Sequence, residues 1–148
     1  MKMLIQRVNT ASVTVDEHKI SEIGKGLLVL VGIESEDNEA TVDRLARKLI
    51  GLRIFADDEG KTNLSLSDVG GELLMVSQFT LCADCKKGFR PSFTGAAAPD
   101  KALQLFNRVV DFCRSGNVRV FTGEFGADMK VSILNDGPFT VILDSRDI

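Results

Sequence analysis

The dipeptide Gly137-Pro138 near the C-terminus is the feature that most constrains how this chain folds. It stands between two strand-like runs, Met129–Leu134 and Phe139–Leu143. Proline has no N–H group to donate to a sheet, so the chain must turn or bulge at this point. An X-Pro bond is also where cis peptides occur, and a preceding glycine removes the side-chain obstacle. We therefore expect a rigid turn with bare, outward-facing backbone, which is suited to reading the shape of a ligand.

Length and composition indicate an ordinary globular protein. The chain has 148 residues, of which 44% are hydrophobic and 26% are charged. This length predicts a single domain over residues 1–148. The longest apolar run, Leu27–Val31, is far too short to cross a bilayer, and the N-terminal region lacks the pattern of a signal peptide. We therefore expect a cytoplasmic protein without a membrane partner.

The charge balance bears on nucleic-acid binding. A formal net charge of −3 argues against a protein that holds nucleic acid mainly through its phosphates. One local exception is the run from Lys86 to Arg90, in which three cations surround Phe89. This run is either a basic patch or a solvated loop, and the sequence does not separate the two.

Three cysteines, Cys82, Cys85 and Cys113, suit a reducing compartment better than a disulfide framework. Cys82 and Cys85 have C-x-x-C spacing, which serves zinc binding or redox chemistry in some proteins. A structural zinc needs four ligands, and His18 is the single histidine. Incidental cysteines are therefore favoured over a metal or redox site.

Alternating strand and helix patterns predict an α/β fold with mixed β-sheets in a layered, barrel-like core covered by two main helices. The run Leu27–Ile33 is mostly apolar, as expected for a strand buried on both faces. A second long strand is expected over Glu72–Leu81.

The two predicted helices have recognisable ends. Asp37 or Asn38 can cap the first helix, and Gly51 can stop it. Pro99 suits the first turn of the second helix, which is expected to stop at Gly116. The residues expected to face the core are Val42, Leu45, Ala46 and Leu49 in the first helix and Leu103, Phe106, Val109 or Val110, and Cys113 in the second.

The expected strand over Glu72–Leu81 ends in polar residues. Alternation places Gln78 and Thr80 on one face of this strand. Ser77 and Phe79 then share the other face. Two polar side chains at the end of an apolar strand either line a pocket as hydrogen-bond donors or face solvent.

A covalent hydrolytic mechanism would need a base beside Thr80 or Ser77. The single histidine, His18, lies in a predicted turn between early strands and is a poor candidate for that base. If the protein is a hydrolase, the sequence therefore favours preorganised backbone and amide donors over a covalent intermediate.

The segments Ser77–Leu81 and Asn135–Thr140 together resemble the two signature motifs of the bacterial-type D-aminoacyl-tRNA deacylases. The occurrence of both motifs at this spacing makes the resemblance to this family specific. The likeness extends across the chain and includes Leu4–Val8, Ala11–Asp16, Leu52–Phe55, Arg90–Phe93 and Gly126–Met129.

The resemblance implies a hydrolase that cleaves the ester between a D-amino acid, or glycine, and the terminal adenosine of tRNA. It implies a homodimer with the active site at the subunit interface, and it implies no metal or organic cofactor. The family's Gly-Pro bond is cis and projects from one subunit into the pocket of the other. The resemblance thus implies that Gly137 and Pro138 would exclude an L side chain and admit a D side chain or glycine.

The resemblance also implies roles for individual residues. Gln78 and the backbone N–H groups of Phe79 and Thr80 would orient the ester and stabilise the oxyanion. Thr80 matches a residue once considered a nucleophile, but the missing base favours a route in which a ribose hydroxyl helps to activate water. Further substrate-binding or selectivity residues are Ser77, Arg7 and Met129, with Arg7 supporting the Gly-Pro turn.

One departure from the family pattern is Phe139, which stands where valine usually follows Gly-Pro. Two other readings remain open. The chain could be a non-catalytic RNA-binding or assembly module on the same scaffold, or a thiol-dependent protein that uses Cys82 and Cys85.

Overall fold

The fold is organised around its first strand, which runs through fourteen residues. The computed structural model describes residues 1–148. Its elements, in chain order, are β1 (Lys2–Val15), β2 (His18–Ile23), β3 (Gly26–Gly32), α1 (Glu39–Ile50), β4 (Arg53–Ala56), β5 (Thr62–Ser65), β6 (Glu72–Ser77), a 3-10 helix (Phe79–Cys82), α2 (Pro99–Ser115), β7 (Arg119–Thr122) and β8 (Lys130–Asp144).

β1 is paired along both of its edges. β8 runs antiparallel to it along one edge, and β3 and β2 pair with its first and second halves along the other. β6 lies parallel to β3, and β7 lies parallel to β6. The sheet is therefore mixed, while β4 and β5 form a separate antiparallel pair. The predicted α/β fold with mixed sheet and two helices is confirmed.

The helices begin and end close to where their capping signals predict. The Asn38 side chain accepts a hydrogen bond from the Thr41 N–H at 3.0 Å, and α1 stops before Gly51. In α2 the prediction that Leu103 faces the core is wrong, because Leu103 is exposed and Leu105 is buried instead. The buried stripe of α2 passes through positions 105, 106, 109, 110 and 113, which leaves position 103 on the outer side. Neither helix is long and apolar enough to cross a membrane.

Two hydrophobic cores lie on opposite faces of the sheet. The larger contains Leu27 and Val29 of β3 and the inner faces of both helices, whereas the smaller contains Leu28 of the same strand. β3 is thus buried on both faces, as predicted. Each fully buried side chain of this kind contributes about 1.5–3 kcal/mol, so burial on both faces stabilises β3 and its neighbour β6.

β8 differs from the prediction of two strands joined by a turn. It is one continuous strand, and Gly137-Pro138 lies inside it. The expected bulge is present, because the register against β1 shifts on both sides of Val8. The Gly137–Pro138 peptide bond is cis. β8 pairs with β1 alone and has a free edge, which is where a sheet tolerates proline.

Candidate active site

A cavity of about 500 Å³ opens where the parallel strands β3 and β6 end. Twelve of its seventeen lining residues are hydrophobic, and the polar side chains among them include Ser77 and Gln78. Its walls come from the ends of β3 and β6, the start of α2 and the segment from Phe125 to Val131. An apolar cleft of this volume with few polar groups is typical of a small-molecule site.

The chain changes direction sharply at the mouth of this cavity. β6 ends at Ser77, and the Gln78 N–H makes the last bond toward β3, to the Val31 carbonyl at 2.8 Å. The expected strand over Glu72–Leu81 is therefore wrong beyond Ser77, because a 3-10 helix follows. The Gln78 side-chain amide donates a hydrogen bond to the Thr80 hydroxyl. Gln78 and Thr80 are thus brought together by a helical turn rather than by strand alternation.

Gly32 allows this turn to form, and sequence reasoning did not single it out. A Cβ atom at Gly32 would lie 2.9 Å from the Leu81 Cβ and 3.1 Å from the Gln78 carbonyl oxygen. Such contacts are closer than packed atoms tolerate, so only glycine lets the 3-10 helix rest on the end of β3. The available signal was a glycine at the end of an apolar strand, which often marks a close backbone approach.

Phe79 and Thr80 supply backbone donors at the cavity mouth. They are the first two residues of the 3-10 helix, and the first turn of a helix leaves N–H groups without a helical acceptor. The Phe79 side chain is 57% exposed and meets the Phe93 ring edge-on, with ring centroids 5.2 Å apart. Phe79 lines the cavity, whereas the Thr80 side chain reaches it only through its contact with Gln78.

Met129 lines the cavity as part of the segment from Phe125 to Val131, beside Asp128. The sulfur of Met129 packs closely over Gly123, where a Cβ atom would come within 2.4 Å of it. The Gly123 N–H is bonded to the Met75 carbonyl of β6 at 3.0 Å. This wall is therefore fixed to the same interior strand that positions Gln78.

The remaining candidates, Arg7, Gly137 and Pro138, form a second group. Arg7 donates from Nη1 to the Ile54 carbonyl at 2.7 Å and from Nη2 to the Asp136 carbonyl at 3.3 Å. Its Nε lies 3.1 Å from the Asp136 carboxylate, an ion-pair contact without hydrogen-bond alignment. The guanidinium thus holds the residue that precedes Gly137, while Gly137 and Pro138 are themselves exposed.

Phe139 packs beneath the contacts between Arg7 and Asp136. Its ring lies 4.8 Å from the Arg7 guanidinium, and its side chain also contacts the larger core. A cation over an aromatic face adds about 0.5–2 kcal/mol. The Phe139 ring therefore supports the position of Arg7.

The two groups are far apart within one chain. Ser77 pairs with Val31 of β3, whereas Arg7 pairs with Leu27, four residues away along β3. Gly137 lies a further strand away, on β8 beside Arg7. At about 3.3 Å per residue and about 4.8 Å per strand, Gly137 is roughly 20 Å from Ser77 along the sheet. Gly137 and Pro138 do not line the cavity of their own chain.

Residues 4–144 match the protein-family model described as D-Tyr-tRNA(Tyr) deacylase. The chain belongs to this family.

Relatives within the family cover nearly the whole chain. The D-aminoacyl-tRNA deacylase of Shewanella sp. (strain W3-18-1) is 56% identical over 140 residues, which are 95% of this chain and 97% of the relative. The D-aminoacyl-tRNA deacylase of Thermosipho africanus (strain TCF52B) is 51% identical over 148 residues, which are 100% of this chain and 99% of the relative.

Solved structures agree with the fold. The c-Myc DNA Unwinding Element Binding Protein superposes with a TM-score of 0.92 at 41% identity, covering 97% of this chain and 98% of the other. A probable eukaryotic D-amino acid tRNA deacylase gives a TM-score of 0.82 at 20% identity, covering 96% and 97%. At that lower identity the second likeness bears on the fold alone.

Two of the three thiols, those of Cys82 and Cys113, have features that disfavour thiolate chemistry. Burial, followed by the nearby Glu34 carboxylate, raises the pKa of Cys82, and its thiol contacts the Ile33 carbonyl at 3.4 Å. Burial raises the pKa of Cys113 to about 12. A nucleophilic or redox cysteine needs the opposite shift.

Proposed function

We propose that the protein hydrolyses the ester between a D-amino acid, or glycine, and the terminal adenosine of tRNA, as a chiral proofreading enzyme of the cytoplasm. The observation that carries the proposal is the turn at Gln78, which places the Gln78 amide in the lining of an apolar cavity and begins a 3-10 helix whose first two N–H groups have no helical acceptor. Membership of the D-Tyr-tRNA(Tyr) deacylase family supports the same reaction.

The proposed chemistry uses no covalent intermediate. A water molecule adds to the ester carbonyl carbon, helped by the neighbouring ribose hydroxyl of the substrate. The N–H groups of Phe79 and Thr80, with the Gln78 amide, stabilise the negative charge that develops on the carbonyl oxygen. The bond to the ribose oxygen then breaks, that oxygen takes a proton, and the free amino acid leaves as a carboxylate. His18 takes no part, because its ring lies against the Asp16 carbonyl in the β1–β2 turn.

The proposed enzyme is a homodimer in which each cavity is completed by the partner. The separation of roughly 20 Å between the two motifs along the sheet supports this arrangement, because Gly137 and Pro138 do not line the cavity of their own chain. The free edge of β8 also supports it. This edge strand leaves Ile133, Leu134 and Ile142 exposed, at 42%, 57% and 66%. A long apolar edge is a surface that proteins cover.

Selectivity in this proposal comes from exclusion. The backbone of Gly137 and Pro138, held by Arg7, would face the substrate Cα and leave no room for an L side chain. A D side chain points the other way, and glycine has none. Such a filter depends on a fixed position more than on attraction, and the Arg7 contacts supply that fixation.

A paired hydrolysis assay tests the proposal. The protein is incubated with D-tyrosyl-tRNA and with L-tyrosyl-tRNA, and loss of each ester is followed against a protein-free control. We expect hydrolysis of the D ester only. Binding of tRNA without D-selective hydrolysis would favour a non-catalytic RNA-binding module instead.

A cysteine variant completes the assay. Replacing Cys82 and Cys85 together with serine is expected to leave D-tyrosyl-tRNA hydrolysis intact, because neither thiol contacts the Gln78 amide or takes part in the proposed steps. Loss of hydrolysis in a folded double variant would support the thiol-dependent reading.

A further inference from the structure

A projecting loop beside the cavity takes no part in the reaction described above. Asp84 and Ser92 close its base through two backbone hydrogen bonds of 2.7 and 2.9 Å. The Asp84 carboxylate also accepts a bond from the Lys86 N–H at 2.9 Å. Residues 85–91, here called the tip loop, extend from this base. At about 3.3 Å per residue, the tip at Gly88 can stand up to about 13 Å beyond the base.

Both ends of the tip loop are attached to the active-site wall. On one side its base follows directly from the 3-10 helix that carries Phe79 and Thr80. On the other side comes Phe93, whose ring meets the ring of Phe79. The chain then reaches Ala96, which lines the cavity. The tip loop is therefore connected at both ends to residues that line or contact the cavity wall at Phe79.

The tip loop presents an aromatic ring and three cations to solvent. The Phe89 side chain is fully exposed, the most exposed large hydrophobic residue of the chain. Lys86, Lys87 and Arg90 are also exposed, and none of them forms an ion pair or a side-chain hydrogen bond. This cluster lies in a chain whose net charge is −3. Apolar exposure and unpaired positive charge thus coincide at one tip.

We propose that the tip loop binds the unpaired 3′ end of the tRNA, with Phe89 stacked on a base upstream of the terminal adenosine and the three cations on the adjoining phosphates. This inference rests on the proposed function. Single-stranded RNA is bound by this combination, because every base offers a π-face and each backbone link carries a negative charge. An acidic peptide would satisfy the cations but would leave Phe89 without a stacking partner.

Two substrates separate the tip loop from the reaction itself. D-tyrosyl-tRNA carries the upstream nucleotides, whereas D-tyrosyl-adenosine has the same ester and lacks them. We expect Phe89→Leu to lower kcat/KM for D-tyrosyl-tRNA about 5- to 10-fold through KM, since leucine keeps apolar area and loses the stacking face. Hydrolysis of D-tyrosyl-adenosine is expected to stay unchanged, and Phe89→Trp is expected to retain full activity on both substrates. The matched control is Phe121→Leu on β7, where an exposed aromatic residue lies away from the cavity lining.

The cations are tested by salt dependence. Replacing Lys86, Lys87 and Arg90 with alanine is expected to reduce the slope of log(kcat/KM) against log salt by about two for D-tyrosyl-tRNA, because each phosphate that is no longer neutralised lowers the slope by about 0.7. The charge-matched control replaces three exposed lysines elsewhere, namely Lys19, Lys48 and Lys61.

Each outcome is decisive. If the wild-type protein is D-selective and the loop variants hydrolyse D-tyrosyl-tRNA normally, the tip loop does not bind the tRNA end and the proposed function stands. If the wild-type protein hydrolyses neither substrate, the proposed function is wrong, and the inference about the tip loop is overturned with it. If the loop variants change the oligomeric state in sedimentation, the loop contacts a second copy of the chain, and the inference is overturned.

Discussion

The segment Ser77–Leu81 leaves the sheet from the interior strand β6, whereas Asn135–Thr140 lies within β8, which has a free edge. The first segment is held by packing, with its 3-10 helix against Gly32 and its Gln78 N–H on β3. The second pairs with β1 only at its two ends, Asn135 and Thr140. Between those ends Arg7 bonds to the Asp136 carbonyl and to that of Ile54. The two segments therefore differ in their surroundings. The groups proposed to stabilise the oxyanion lie at the end of a core strand, and the proposed filter lies on a surface that a partner can cover.

Removing a chemical group from the core segment should have the largest effect. We expect Gln78→Ala to lower kcat for D-tyrosyl-tRNA by about 10²-fold, the usual cost of losing one stabilising donor, with an unchanged melting temperature. Thr80→Ala is the control, since the Thr80 hydroxyl contacts Gln78 and is not expected to attack. We expect Thr80→Ala to keep much of the rate. A folded but inactive Thr80→Ala protein would contradict the substrate-assisted mechanism.

Disturbing the packing beneath the core segment should come next. Gly32→Ala places a methyl group 2.9 Å from the Leu81 Cβ, so we expect a loss of about 1–3 kcal/mol in the free energy of unfolding, together with reduced kcat. Urea unfolding and the D-tyrosyl-tRNA assay measure the two effects.

Gly95→Ala is the matched control for this packing test. Its added Cβ would meet only the Cys82 carbonyl oxygen, at 3.9 Å. Equal stability and rate for the Gly32 and Gly95 variants would show that the contact with Gly32 does not hold the turn.

Loosening the edge segment should change selectivity rather than rate. Arg7→Lys keeps the charge and loses the fork that bonds to Ile54 and Asp136. We expect hydrolysis of L-tyrosyl-tRNA relative to D-tyrosyl-tRNA to rise about tenfold, because a displaced turn no longer blocks the L side chain. Arg108→Lys is the control, since Arg108 forms a similar forked contact with Asp43 between the helices. If both variants have the same selectivity, Arg7 does not position the filter.

The smallest effect is expected at the C-terminal end of β8, where the free energy of unfolding should depend on pH in the acid range. The hydrogen bond from Arg146 lowers the pKa of Asp144 from 3.8 to about 2. A lowered pKa means that this contribution is present above about pH 4 and is lost as the pH falls toward 2. Because the Arg146 side chain is 67% exposed, we expect less than about 1 kcal/mol.

Urea unfolding above and below this range measures the effect of Asp144. Asp144→Asn should lose less stability on acidification than the wild type, and Arg146→Gln should behave in the same way. Equal acid dependence in all three proteins would show that the ion pair contributes nothing. Selectivity should not change in either variant, since Gly137 is held by Arg7 instead.

The sequence predicted those parts of the molecule that depend on local patterns. The cap at Asn38, the strand buried on both faces and the bulge at Gly137-Pro138 each follow from residues that are neighbours in the chain. The apolar face of α2 was right except at Leu103, because the stripe is anchored by Leu105 instead.

The parts that sequence reasoning missed depend on contacts between distant residues. The end of β6 at Ser77 is decided by Gly32 and Val31, some forty-five positions earlier, and an alternating run reads equally well as strand or as turn. β8 continues through Pro138 because β8 is an edge strand, paired with β1 alone. An edge strand tolerates a residue that has no N–H group to donate. The roles of the candidate residues stay predictions, because they depend on a substrate and a second subunit.

The central claim is that Gly137 and Pro138 act on the cavity of the partner subunit, and a mixed dimer tests it directly. Gln78→Ala slows one cavity by about 10²-fold. Gly137→Ala damages one filter, because Gly137 has φ +116° and an added Cβ would lie 2.8 Å from Arg7 Nη2. The two variants, with different tags, are co-expressed, and the dimer that carries both tags is purified.

In that mixed dimer the one fully active cavity belongs to the Gly137→Ala chain, and the one intact filter belongs to the Gln78→Ala chain. We predict that the mixed dimer hydrolyses D-tyrosyl-tRNA and rejects L-tyrosyl-tRNA, unlike the Gly137→Ala homodimer, which should hydrolyse both. If the mixed dimer hydrolyses L-tyrosyl-tRNA as the Gly137→Ala homodimer does, the filter acts within its own chain and the account is contradicted.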